Sequence, residues 1–72
     1  MFELIKTFSD NELRELLREV KKLDSMIAPA NEKLSTNMQK LFDNGVGYFW
    51  SSKMSDIRFA LTHSAAERFL NG

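Results

Sequence analysis

Cysteine is absent from this 72-residue chain and histidine occurs once, so neither a disulfide framework nor a Cys/His metal knot can hold the fold together. A domain of this length has a core worth only roughly 3–5 kcal/mol and ordinarily needs a staple or association with other chains. Neither charge sign dominates: ten Lys/Arg balance ten Asp/Glu. That balance argues against wrapping nucleic acid or sitting on anionic lipid through bulk charge, and any anion binding must be local. No long apolar run is present either. Met1-Phe2-Glu3-Leu4-Ile5-Lys6 is too short and carries an early acid, so neither a signal peptide nor a spanning segment is expected, no membrane partner is implied, and a cytoplasmic location, of a cell or of a virus inside one, is the default. Titratable groups suited to catalysis are few: one His63, one Tyr48, and carboxylates that mostly have a basic residue four positions away. Catalysis, a metal site and a cofactor are all unexpected.

What the chain does have is helix punctuation. Phe8-Ser9-Asp10-Asn11-Glu12-Leu13 carries a complete start signal: Ser9 caps the Glu12 amide, Glu12 reaches back to the Ser9 amide, and Phe8 staples onto Leu13. Beyond it apolar residues recur at Leu13, Leu16, Val20, Leu23, Ile27, Ala30, Leu34 and Leu41 in steps of three and four, with Asn37 the one polar residue in the series. That is a heptad seam, and a polar residue on a seam is a register-setting device paired with a partner. The seam residues, with Asn37 and Trp50, are therefore the expected interface.

The pattern predicts an all-α fold: a small helical hairpin with an N-terminal arm or short helix over residues 1–8, assembling as a homo-oligomer through that seam. A long helix is expected over about 10–42, kinked at Pro29 because the heptad phase continues across the proline, with two helices hinged there as the rival. Asp43-Asn44-Gly45 supplies the stop, Asn44 or Gly45 taking a left-handed conformation, and residues 43–47 form a loop. A second helix follows over about 48–70, its start lying at Tyr48 or Ser55, with Trp50, Met54, Ile57, Leu61, Ala65 and Phe69 on one face.

Several groups invite a chemical reading. His63 and Glu67 form an i, i+4 pair, but two ligands do not make a metal site, and a surface hydrogen bond is the simpler reading. Glu15 and Glu19 read as solvated charges flanking the seam. Arg14, Arg18 and Lys21 lie along one stripe of the first helix, either a phosphate cradle closed by a second chain or a rim that pairs with acids of a partner helix. Tyr48-Phe49-Trp50 cannot all face one way, so at least one ring is exposed or sits at an interface.

Glu15-Leu16-Leu17-Arg18-Glu19-Val20-Lys21 preceded by Phe8-Ser9, together with Trp50-Ser51-Ser52 followed by Ser55-Asp56-Ile57-Arg58, resembles the small helical phage proteins that sequester cyclic-oligonucleotide signals, the anti-CBASS sponge family. The resemblance implies a symmetric oligomer binding a cyclic oligonucleotide between protomers, with Lys21 matching the phosphate-contacting lysine and Phe8 standing where the family has a base-stacking tyrosine. Phe8, Arg14, Arg18 and Lys21 are then the expected ligand-binding residues. A non-enzymatic counter-defence protein is the leading expectation. The alternatives are a small inhibitor or adaptor that docks a helix face or the Tyr48–Trp50 patch on a host protein, and a DNA-binding regulator, which the few basic residues of the second helix, Lys53, Arg58 and Arg68, disfavour.

Overall fold

Ser9 and Glu12 close the reciprocal cap that their spacing predicts: the Ser9 amide donates to Glu12 Oε1 at 2.8 Å and the Glu12 amide donates to Ser9 Oγ at 3.2 Å. Two orphan amides at the helix start are thus satisfied. The computed structural model describes residues 1–24 and 34–70. Over them the chain forms α1 (Phe2–Ile5), α2 (Asp10–Asp24), α3 (Thr36–Asp43) and α4 (Trp50–Ala65), the last running on into a π-helical turn at Ala66–Leu70. The fold is all-helical, with no strand among the described residues.

The single helix expected from Asp10 to Phe42 is instead two. α2 is described over Asp10–Asp24 and α3 opens at Thr36, and Ser35 before it is extended (φ −62°, ψ 159°) and caps the Met38 amide through its Oγ at 3.2 Å. The unbroken heptad phase misled because the residues in phase need only face a common core, and two helices folded onto one another satisfy that as well as one. Pro29 and Ile27 lie outside the described residues.

α4 packs on α1, α2 and α3, and α2 also packs on α3. Leu13, Leu16, Val20 and Leu23 of α2 meet Met38 and Leu41 of α3, Met54, Ile57, Ala60 and Leu61 of α4, and Ile5 and Phe8 of the N-terminal segment in one buried cluster. Each fully buried Leu or Ile side chain contributes about 1.5–3 kcal/mol. The seam residues Leu13, Leu16, Val20, Leu23 and Leu41, expected at an interface with other chains, are therefore covered by the protomer's own helices. Leu34 is half-buried against the same cluster. Asn37 finds its partner within the chain as well, donating from Nδ2 to Glu12 Oε2 at 3.2 Å.

The turn after α3 also differs in detail. Asn44 keeps a negative φ of −102° and holds the helix end by donating from its backbone amide to the Leu41 and Lys40 carbonyls and from Nδ2 to the Lys40 carbonyl at 2.9 Å. With those carbonyls satisfied no left-handed residue is needed there. It is Gly47 that adopts positive φ, +99°, and a Cβ at that position would stand 2.6 Å from Ser52 Cβ. α4 starts at Trp50, with Phe49 extended before it and its carbonyl accepting from the Lys53 amide. Ser55 lies inside the helix and caps nothing.

Candidate interaction surfaces

To one side of the buried Leu13–Leu23 ridge α2 carries a row of acids, and to the other a row of bases beside Asp10 and Asp24, which pair with Arg68 and Arg58. On the acidic flank, Glu12, Glu15 and Glu19 face the start of α3 across a cleft of about 140 Å³ closed by Ser35, Thr36 and Asn37. Glu19 accepts from the Ser35 amide at 3.0 Å and from the Ser35 hydroxyl. Rather than a solvated charge, it is the group that fixes the N-terminus of α3 on α2. Glu12 sits below the usual carboxylate range, first because the Ser9 amide donates to it and then because the Asn37 side chain does. Sequence reasoning missed the Glu19 role, although the Ser35-Thr36-Asn37 cluster is a turn signal and a helix start.

On the basic flank, Arg14, Arg18 and Lys21 are exposed, as their stripe predicts. The Arg14 guanidinium lies over the Phe69 ring, 4.6 Å from its centroid, a cation–π contact. Beside it opens a trough of about 370 Å³ lined by Leu17, Thr62, Ala65, Ala66, Phe69 and Leu70. Two consecutive alanines leave its floor low. The π-helical turn carries Phe69 against α2, while Arg68 of the same turn reaches the Ile5 carbonyl at 3.0 Å and Asp10 Oδ1 at 3.3 Å. Phe8, expected to stack on a base, is 6% exposed and belongs to the core. Its ring has no free face to offer; the hydrophobic staple position that starts α2 is also what buries it.

A third surface is aromatic. Phe2 and Phe59 meet edge to face with centroids 6.5 Å apart, and the His63 ring stacks beside Phe59 at 6.0 Å. A hollow of about 260 Å³ lies among Met1, Phe2, Val46, Asp56, Phe59 and Ala60. Of the Tyr48-Phe49-Trp50 run, the first two rings are 98% and 74% exposed, whereas Trp50 is half-buried and stacks on Phe42 at 4.8 Å. Trp50, expected at an interface, packs on Phe42 of its own chain and keeps part of its surface exposed. Val46, Phe59 and Phe2 are exposed as well.

Other polar groups are engaged locally. His63 Nε2 lies 3.1 Å from Glu67 Oε1 on the surface, and among the described residues no cluster of three His, Cys, Asp or Glu is placed to hold a metal ion. The three basic residues expected to decide the DNA reading are all occupied: Lys53 donates to the Phe42 carbonyl, Arg58 pairs with Asp24 at 2.7 Å, and Arg68 pairs with Asp10. No helix among the described residues is long and apolar enough to cross a membrane. Comparison with protein-family models, curated proteins and solved structures found no match to this chain.

Proposed function

We propose that this chain is a non-catalytic interaction module, a small helical adaptor or inhibitor that docks on another protein. One observation carries the reading: Tyr48 and Phe49 are 98% and 74% exposed at the start of α4, and Val46, Phe59 and Phe2 are exposed with them. Aromatic side chains bring large contact area at small conformational cost and anchor protein interfaces. Exposed apolar patches of this kind mark docking sites. Photo-crosslinking tests the reading. With a photoreactive phenylalanine at position 48 or 59, the full chain should give a discrete heavier adduct in cells, and the same group at Glu15 should not. Adducts with itself only, or equal labelling from all three positions, would overturn it.

A nucleotide-sequestering reading is favoured by one specific observation, the exposed line of Arg14, Arg18 and Lys21 beside the Phe69 ring. In it, cyclic oligonucleotide phosphates meet the basic line at a boundary between protomers, and Phe69 takes the part that the resemblance assigns to Phe8. A ligand that binds only the folded state raises the melting temperature. Melting with a panel of cyclic di- and trinucleotides should then shift upward, and a flat response across the panel removes this reading.

A further inference from the structure

We infer that the trough between α2 and the π-helical end of α4 is a second docking face, built for an acidic amphipathic helix of a partner protein. The inference rests on the interaction-module reading but concerns a surface away from Tyr48 and Phe49, so the two stand or fall on separate measurements.

The lining supplies the first half of the argument. Leu17, Ala65, Ala66, Phe69 and Leu70 are apolar, and the Thr62 hydroxyl is the one polar side-chain group among the six lining residues. Such a surface offers a single hydroxyl with which to read the edge of a base, but it accepts a ridge of aliphatic side chains from a helix laid along it. Charge supplies the second half. Arg14 borders the trough through Phe69, and Lys21 lies one turn from the lining residue Leu17, as Arg18 lies one turn from Arg14. The three cations thus run about 10 Å along α2, the length of two helical turns. No Asp or Glu lines the trough. An occupant with apolar residues at i, i+3 or i+4 and i+7, and acids beside them, meets both features at once.

Helix α2 of a second copy is a poor source of those acids. Its own acidic row is Glu12, Glu15 and Glu19, of which Glu12 is held by Ser9 and Asn37 and Glu19 by Ser35. Only Glu15 of that row is left without such a bond.

The test uses the full isotope-labelled chain and a synthetic peptide of about four helical turns, with leucines on one face and glutamates flanking them, against a counterpart with lysine at every glutamate. The glutamate peptide should shift the backbone amides of Leu17, Ala65, Phe69 and Leu70, and the lysine peptide should not. Arg18→Glu with Lys21→Glu should weaken the glutamate peptide by about tenfold or more and admit the lysine peptide. Both side chains are exposed, and an unchanged melting temperature checks that the variant folds. Arg14 is left intact because it packs on Phe69. Several results would overturn the inference: no amide shifts, equal shifts with both peptides, shifts confined to the Val46–Phe59 face, or preferential binding to phosphatidylserine vesicles. Trough amides that move when the protein alone is concentrated would assign the surface to a second copy instead.

Discussion

Glu19 on α2 takes both the amide and the hydroxyl of Ser35, sixteen residues on in the chain, and Ser35 in turn caps the Met38 amide. One carboxylate therefore secures the N-terminus of α3 and its position against α2. Losing a helix cap costs about 0.5–2 kcal/mol. Ser35→Ala is expected to cost about 1–2 kcal/mol because it removes the cap and the hydroxyl bond to Glu19 together, while the amide bond to Glu19 remains. Glu19→Gln should cost less, since the amide oxygen still accepts one bond. In a double-mutant cycle followed by urea unfolding, the Glu19→Ala and Ser35→Ala costs should fall short of additivity when combined, as groups sharing a bond do; strict additivity would mean that the two act separately.

Acid should weaken the fold partly through Glu12. Its carboxyl is lowered in the folded chain by the Ser9 amide and the Asn37 side chain, so folding favours the ionised form. That contribution is present above the ordinary glutamate value of about 4.3 and is lost as pH falls through the lower folded value. Glu12→Gln removes the titration. The wild-type melting temperature should therefore drop more steeply than that of the Gln variant over this acid range, with the two curves converging at the lowest pH. Parallel curves would show that Glu12 is not linked to folding.

Gly47 is a position where side-chain size and backbone conformation both matter. At φ +99° any L-residue is strained, and a Cβ there would stand 2.6 Å from Ser52 Cβ. Gly47→Ala should destabilise by about 1 kcal/mol or more. Gly45 serves as the control, because a Cβ there meets atoms no nearer than 3.4 Å. Adding Ser52→Gly to Gly47→Ala should recover the clash but not the φ strain. Thermal melts of the three variants separate the two contributions, and a neutral Gly47→Ala would show that the turn relaxes.

Some local signals were legible in sequence: the Ser9–Glu12 cap and the face of α4 that carries Met54, Ile57 and Leu61. What sequence could not supply was the partner of each face. Leu13, Leu16, Val20 and Leu23 form the same pattern whether covered by another chain or by α3 and α4, and periodicity is silent on which. Asn37 fell on the same pattern and was satisfied by Glu12, a residue of the neighbouring flank. The basic stripe was visible from spacing, but the trough beside it needed Phe69 brought across from the far end of the chain by the π-helical turn. Phe8 shows the reverse error: the residue that staples α2 cannot also be a free ring.

Burial of the Leu13–Leu23 ridge inside one protomer has a consequence for stability that an interchain seam would not share. If the ridge is covered by α3 and α4, unfolding is unimolecular and the melting temperature does not depend on protein concentration; were neighbouring chains to cover it, dilution would lower the melting temperature by mass action. Leu16 and Ile57 are 2% and 0% exposed in the same cluster. Leu16→Ala should cost about 2–5 kcal/mol and Ile57→Val about 0.5–1.5 kcal/mol. For a chain of this size the first loss consumes most of the available stability, so the milder Ile57→Val variant is the one to melt across a dilution series. Wild type and variant should each keep one midpoint throughout, displaced from one another by a constant amount. A midpoint that rises with concentration would place part of the ridge against another copy.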